Sequence, residues 1–384
     1  MHFTVLHKSQ TTAARVGRVE TPHGSFETPA FMPVGSRATV KGVTVGQLRA
    51  SGAQVVLANA YHLMLRPGHE LIARLGGLHR FMGWDGPILT DSGGYQVFSL
   101  AHINRIDDDG VTFRSFIDGS SVHLSPERAM AVQNDLGADI IMAFDDCPPA
   151  TDGDDLGSRR RKAHIRTLRW LERCRAAHKR TQEQALFGIV QGGTDLALRQ
   201  ASVEGVCNVD LPGYAIGGVA VGETPAEIRR VVEFTAPLLP ADKPRYLMGV
   251  GYERDLVAAI RAGVDMFDCV LPTRNGRNAN AFTPSGRLQL RNAAFREATE
   301  VLDPTCDCPA CAGGLGRGYL RHLFMSGEML GPILVSVHNL THYQRLMLDI
   351  RRAIREDSWS LLADVWPVTR EHNPTSCTNS TKPS

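Results

Sequence analysis

One aspartate stands inside an apolar run in the segment MFDCVLPTRNGRNA, residues 266–279. Asp268 lies between Phe267 and Cys269, and Arg274 and Arg277 follow it. A carboxylate among apolar residues costs free energy unless it is paired or used. The Leu-Pro-Thr-Arg sequence after it predicts a loop, so a helix-capping role is not expected. Asp268 is therefore a candidate nucleophile, and the nearby arginines indicate an anionic substrate.

Further polar groups end other apolar runs or precede glycine pairs. They are Asp91 in TDSGGYQ, Asp145 and Asp146 in AFDDC, Gln191 in GIVQGG, and the backbone amides of GGVAVGE (217–223). Together they predict a glycine-lined slot that suits guanine, whose N1–H and amine match a carboxylate and whose O6 accepts hydrogen bonds. Any one of these aspartates could instead cap the next helix. Two carboxylates at one site suit a double displacement at a sugar carbon.

Three cysteines lie close together in CDCPAC, at Cys306, Cys308 and Cys311. Such clustering predicts a structural tetrahedral metal site that needs a fourth ligand. The downstream candidates are His322, His338 and His342. Zinc in a Cys3His shell is the prediction, and an iron–sulfur site with one more thiolate is the alternative. A site with four protein ligands has no open position, so we expect no catalytic role for the metal.

The composition indicates a globular protein. The 384 residues are 43% hydrophobic and 21% charged, with a formal net charge of +2, so a polyanion must be met by a local basic patch. No run reaches the roughly 18 apolar residues of a membrane span, and the N-terminus lacks the apolar core of a signal peptide. Clustered and scattered cysteines, without a disulfide framework, predict a reducing compartment and a cytoplasmic location.

Eight short apolar runs alternate with helical stretches, which predicts a parallel sheet. The runs are 30–35, 55–59, 87–91, 139–145, 186–191, 213–218, 245–250 and 266–270. Six of these runs have a polar residue or a glycine at or near the carboxyl end: Asn59, Asp91, Asp145, Gln191, Gly218 and Asp268. An open, doubly wound sheet would carry its site at one switch point. The spread over many strands favours an irregular (β/α)8 TIM barrel.

Two β-hairpins are predicted as additions to the barrel, at 111–124 and within FTPSGRLQLRN (282–292). The barrel with its site is assigned to residues 1–290, and a zinc-binding subdomain with C-terminal helices to 291–356. The polar end, 357–384, lacks periodicity, which predicts a disordered tail.

Ten motifs occur in an order that resembles the bacterial tRNA-guanine transglycosylase family, over roughly residues 1–355. They are FMPVGSRATVKG, YHLMLRPG, FMGWDGPILTDSGGYQVFSL, FDDC, GIVQGG, GGVAVGE, YLMGVG, DMFDCVLPTRNGRNA, CDCPAC and VHNL. The resemblance implies exchange of guanine at the wobble position of tRNA anticodons (GUN) for 7-aminomethyl-7-deazaguanine, in queuosine biosynthesis. It also implies a homodimer that acts on the tRNA anticodon loop.

The resemblance further implies a role for each candidate residue. Asp268 would attack C1′ of the ribose, and Asp91 would be the general acid/base. The base would be bound by Ser92, Tyr95, Asp145, Cys147, Gln191, Gly218, Val219 and Met248. Arg274 and Arg277 would read the flanking bases of tRNA. One structural Zn2+ would be held by Cys306, Cys308, Cys311 and His338.

Two positions refine the comparison with the family. Val219 stands where the family usually has leucine, and because the family uses the backbone carbonyl there, the change should alter little. Cys147 and Val221 match the bacterial pocket, which favours the small precursor over queuine. The alternative functions are a retaining nucleoside or glycoside hydrolase on the same barrel and a non-catalytic tRNA-binding protein. The hydrolase does not explain the guanine-shaped polar set, and the binding protein does not explain two carboxylates.

Overall fold

Eight parallel strands form a ring in the computed structural model, which describes residues 1–100, 104–150 and 156–370. The first to eighth barrel strands are Ala30–Met32, Val56–Ala58, Ile88–Thr90, Ile140–Met142, Ala185–Val190, Gly213–Ile216, Arg245–Leu247 and Met266–Asp268. Neighbours in the chain pair from the second strand to the eighth, and the eighth pairs with the first. A parallel bridge between Val34 and Leu57 links the first strand to the second. The predicted barrel and its eight strands are confirmed.

The short strands are apolar because both of their faces are buried, one in the barrel interior and one under the helices. Met32, Phe187 and Met266 belong to the interior cluster. Val19 and Phe26 join the same cluster from an antiparallel sheet that the sequence did not predict. Its strands are His2–Lys8, Arg15–Thr21 and Gly24–Thr28. This sheet therefore closes the barrel at the amino ends of its strands.

Asp139 fastens the N-terminal sheet to this closed end. One carboxylate oxygen contacts the backbone amide and Nδ1 of His23 at 3.2 and 2.8 Å. The other contacts the Ile88 amide at 2.9 Å and His79 Nε2 at 3.0 Å. Although the ligand atoms of His23, His79 and Asp139 lie within 4.8 Å of one another, each carboxylate oxygen already has two partners. We assign this cluster a structural role, which leaves the opposite end of the barrel for chemistry.

The helices surround the ring and fill the C-terminal region. The α-helices are Val45–Ala50, Ala60–Leu65, His69–Arg74, Gly77–Met82, Gly94–Leu100, Pro126–Leu136, Leu156–Ala177, Leu196–Cys207, Pro225–Thr235, Glu253–Arg261, Leu271–Arg277, Pro309–Ala312, Arg317–Met325, Leu330–Glu356 and Trp359–Val365. The 3-10 helices are Ala236–Leu238, Ala293–Phe295 and Pro367–Thr369. None of the helices in the described ranges is long and apolar enough to cross a membrane.

Both predicted hairpins are present. Val111–Arg114 and Ser121–Leu124 pair with each other, and Asn104–Ile106 adds a third antiparallel strand. Asn280–Thr283 pairs with Gly286–Gln289 directly before the metal-binding region.

The long helix Leu330–Glu356 connects the barrel to the C-terminal subdomain. Its Val335 packs with the cysteine cluster, whereas Val337 packs with the residues around the barrel. The chain after this helix is also ordered and packs against it: Trp366 is fully buried, and its Nε1 donates to Asp349 at 2.9 Å. The expected disordered tail is therefore wrong for residues 357–370, and residues 371–384 lie outside the described part of the chain.

Candidate active site

The carboxyl ends of the barrel strands bring the predicted polar residues to one mouth, as in other barrels of this type. Asp91 follows the third strand, Asp145 the fourth, Gln191 the fifth, Gly218 the sixth and Met248 the seventh, and Asp268 ends the eighth. These residues are far apart in the sequence, so only the ring arrangement joins them.

Asp91 is a buried carboxylate held by three donors. It accepts hydrogen bonds from the Asn59 side chain, from the Ala60 amide at 2.8 Å and from Gln96 Nε2 at 2.7 Å. Its pKa is raised to about 6, mainly by burial and in small part by the charge of Asp268, while the three hydrogen bonds oppose the rise. A carboxyl group that titrates near neutral pH can both donate and accept a proton, which suits a general acid/base.

Asp268 lies at the end of the eighth strand, where it is partly exposed to the mouth. One of its oxygens accepts from the Tyr246 hydroxyl at 2.6 Å and from the Gly249 amide at 2.9 Å. Burial raises the pKa of Asp268, and these two donors oppose that rise. Burial and the charge of Asp268 also raise the pKa of Tyr246 well above its usual value, so the tyrosine stays a donor. The carboxylate is thus oriented by two donors that meet the same oxygen.

Asp145 and Gln191 form a buried polar pair. Gln191 Nε2 donates to Asp145 at 2.6 Å, and Ser92 Oγ contacts the other carboxylate oxygen at 3.3 Å. Burial raises the pKa of Asp145 to about 6, so it is mostly ionised at neutral pH. Gln191 Oε1 is buried and has no hydrogen-bond partner among the described residues. Cys147 is buried beside this pair, and burial raises its pKa to about 12, which keeps the thiol neutral.

The glycines after the sixth strand allow the chain to pass close to Gln191. A Cβ at Gly218 would lie 2.1 Å from Gln191 Oε1, and the φ of Gly218 is +59°, in the left-handed region. Behind this turn lies Arg199, which is fully buried. Its guanidinium donates to the carbonyl oxygens of Gly193 (2.9 Å), Val190 (3.1 Å), Gly217 (2.7 Å) and Gly218 (2.9 Å).

The other predicted base-binding residues occupy different environments. Tyr95 is 50% exposed, Met248 is partly buried, and Val219 is buried. Asp146, which the sequence offered together with Asp145, is turned away from the pocket. Its carboxylate pairs with two arginines of helix Leu156–Ala177 instead: Arg159 at 2.8 Å and Arg166 at 2.6 Å.

Arg274 and Arg277 lie on the helix Leu271–Arg277, which begins just after Asp268. The predicted loop after Asp268 is therefore wrong. The helix is short and contains Pro272 in its first turn, and it packs on the long C-terminal helix, where a Cβ at Gly276 would approach the Ser336 backbone to 2.7 Å. Asp268 nevertheless does not cap this helix, because its hydrogen-bond partners are Tyr246 and Gly249. Arg274 is exposed and Arg277 half-buried.

The Cys3His cluster has the geometry of a metal site. Cys306, Cys308, Cys311 and His338 are buried, and their ligand atoms lie within 4.8 Å of one another. Nδ1 of His338 is 3.3 Å from the Cys308 sulfur and 3.5 Å from that of Cys311. Its Nε2 lies 2.8 Å from the Phe282 carbonyl oxygen, an orienting contact typical of ligand histidines. His342 instead contacts Glu253 at 2.9 Å. The four residues could hold one metal ion.

Fold and site together define a (β/α)8-barrel enzyme with carboxylates at its mouth and a separate metal-binding subdomain. A family model described as Queuine tRNA-ribosyltransferase matches residues 9–371. Proteins with that name are 55% identical in Synechococcus elongatus, over 92% of this chain and 91% of the relative, and 52% identical in Lysinibacillus sphaericus, over 93% of each. The chain belongs to the queuine tRNA-ribosyltransferase family. It is an enzyme of the tRNA-guanine transglycosylase class, a pentosyltransferase, and the resemblance predicted from the motifs is confirmed.

Three residues that orient the site were not predicted as site residues. Tyr246 begins the motif YLMGVG and Gln96 ends TDSGGYQ, but neither was given a role, and Arg199 lies inside a helix and carries no local motif. Asn59, a second partner of Asp91, did carry a signal, because it ends a predicted strand.

Proposed function

We propose that this protein exchanges guanine at the wobble position of tRNA anticodons for 7-aminomethyl-7-deazaguanine, through a covalent bond between Asp268 and the ribose. The family supports a tRNA substrate and transfer at a ribose. The observation that carries the mechanism is the pair of carboxylates, Asp91 and Asp268, at one barrel mouth. The charge of Asp268 raises the pKa of Asp91, so the two groups are electrostatically coupled and suited to different protonation states.

The proposed chemistry is a double displacement. Asp268 attacks C1′ as the bond to the N9 atom of guanine breaks, and Asp91 protonates the leaving base. Asp91 then removes a proton from the incoming base, which attacks C1′ and releases Asp268. The Tyr246 and Gly249 donors hold one oxygen of Asp268, and this leaves the other oxygen available for the attack.

The proposed base recognition uses Asp145, Gln191 and the amide of Gly218. Asp145 accepts from N1–H and the exocyclic amine, which requires its ionised form. The Gly218 amide donates to O6, and Ser92 and Gln191 hold the Asp145 carboxylate in place. Cys147, Val219 and Met248 would complete the pocket, with Tyr95 on the other face of the base.

We also propose that the flanking tRNA bases and phosphates contact Arg274 and Arg277, on the helix next to Asp268. Partial burial and, to a smaller extent, the charge of Arg274 lower the pKa of Arg277. An anionic ligand would relieve the repulsion between these two arginines. Cys306, Cys308, Cys311 and His338 would hold a structural zinc ion with no open position for chemistry. Homodimer formation and a cytoplasmic location stay predictions.

The test is incorporation of radiolabelled guanine into unmodified tRNA, with the tRNA backbone recovered intact. The proposal predicts label in the wobble nucleotide and its displacement by 7-aminomethyl-7-deazaguanine. Release of guanine with an abasic tRNA as the product would support a hydrolase instead.

A further inference from the structure

Arg199 is a fully buried arginine beside the pocket whose hydrogen-bond partners are all backbone carbonyls. No ion pair joins it to an acidic side chain in the described ranges. The charge of Glu223 favours the charged form of Arg199, but a buried charge without a direct ion pair is still costly. Burial lowers the pKa of Arg199 to about 10, so the guanidinium is still charged at neutral pH. If Arg199 only linked the loops, neutral donors could do so at a lower free-energy cost of burial.

The contacts of Arg199 determine where two amides point. It binds the carbonyl oxygens of Gly217 and Gly218 at 2.7 and 2.9 Å. In a trans peptide the C=O and N–H point in opposite directions. The N–H groups of Gly218 and Val219 therefore point away from the guanidinium. Neither N–H has a hydrogen-bond partner among the residues that the structure describes.

We propose that Arg199 is a positioning residue for release and return of the base, and that it relays its positive charge through these two peptides to the base carbonyl. This inference rests on the proposed function. When the C1′–N9 bond breaks, its electron pair moves onto the purine and is shared with O6 until Asp91 delivers a proton. The Arg199 guanidinium, which binds the carbonyl oxygen of this peptide, polarises the peptide and makes its N–H a stronger donor. The hydrogen bond from Gly218 to O6 therefore strengthens as negative charge grows on O6.

The variants that test this role are Arg199→Met, which removes charge and donors, and Arg199→Lys, which keeps the charge. Arg245→Met is the matched control. Arg245 is also buried, its pKa is also lowered to about 10 by burial, and it donates to the carbonyls of Leu239 at 2.6 Å and Gly263 at 3.3 Å. It begins the seventh strand, at the closed end of the barrel, so its loss should affect stability alone.

The readout is kcat/KM for the return of guanine and of 6-thioguanine, whose sulfur is a weaker hydrogen-bond acceptor than O6. Arg199→Met should lower kcat/KM for guanine about 10²-fold, the scale expected for a misplaced catalytic group, and should reduce the preference for guanine over 6-thioguanine. Arg199→Lys should keep most of that preference, and Arg245→Met should leave it unchanged.

Equal losses for the two bases in Arg199→Met would overturn the relay, and so would an unchanged rate. If Arg199→Met does not fold, as judged by circular dichroism, Arg199→Lys decides: the proposal fails if this variant loses the preference for guanine. The wild-type protein in the same assay tests the proposed function separately, because exchange by wild type is independent of the result at Arg199.

Discussion

The Tyr246 hydroxyl offers a test of how Asp268 is kept ionised. In Tyr246→Phe, Asp268 loses a 2.6 Å hydrogen bond and keeps the Gly249 amide as its donor. A hydrogen bond to a charged group contributes about 1.5–3 kcal/mol. Since this bond lowers the pKa of Asp268 against the effect of burial, its loss should raise that pKa further. The carboxylate would then be ionised over a narrower pH range.

The assay is the pH profile of kcat/KM for guanine exchange. The variant should move the acid limb to higher pH, and its kcat/KM at the acid end should fall about 10- to 150-fold, which is the same free energy expressed as a ratio. At higher pH, where Asp268 is ionised in both proteins, the loss should be much smaller. Tyr214→Phe is the control, because it also removes a buried tyrosine hydroxyl, but one whose partner is the Leu211 amide, at 3.0 Å, and not Asp268. Its acid limb should not move. An acid limb that does not move in Tyr246→Phe would refute the reasoning.

Three further predictions concern the metal and the base pocket. Cys308→Ser should lose the one zinc per chain that the proposed site implies and should destabilise the C-terminal subdomain, since metal binding contributes to folding; metal analysis showing full retention would contradict the assignment. Asp145→Asn should cost about 2–5 kcal/mol in guanine binding, because a donor would face donors on the base; an unchanged KM and rate would rule out Asp145 as a base reader. Gly218→Ala should raise the KM for guanine by displacing Gln191, whereas Gly83→Ala, with a similar φ of +68° and no atom within 4 Å of the added Cβ, should cost stability only. Equal kinetics in the two glycine variants would contradict this.

The barrel could be predicted from the sequence because its strands are buried on both faces and therefore appear as continuous apolar runs. The parallel arrangement then places the residues that follow them at one mouth, so Asp91, Asp145, Gln191 and Asp268 could be grouped without knowing any distance. The metal cluster could be predicted because three of its ligands are close in sequence. The choice of His338 came from the family resemblance, and the structure agrees with it.

Features that depend on tertiary contacts could not be predicted. The helix Leu271–Arg277 contains proline, asparagine and glycine, which are poor helix formers in its interior, and its packing on Leu330–Glu356 outweighs that preference. The strand His2–Lys8 alternates between exposed and half-exposed residues and lacks an apolar run. Trp366 lies in SLLADVWPV (360–368), a short apolar segment before the polar end, and its burial depends on tertiary contacts such as the hydrogen bond from its Nε1 to Asp349. Tyr246 reaches Asp268 from the neighbouring seventh strand, and Arg199 contacts the loops after the fifth and sixth strands. Both positions look like ordinary strand and helix interiors in the sequence.

The covalent mechanism can be tested by incubating the protein with unmodified tRNA in the absence of a second base, then denaturing it and separating free from protein-linked RNA. We predict a protein–RNA adduct that maps to Asp268, that 7-aminomethyl-7-deazaguanine discharges, and that Asp268→Asn abolishes while tRNA binding persists. An adduct that maps to Asp91, or that forms in Asp268→Asn, would contradict the assigned roles. Base exchange at the normal rate with no trappable adduct would contradict the covalent intermediate itself.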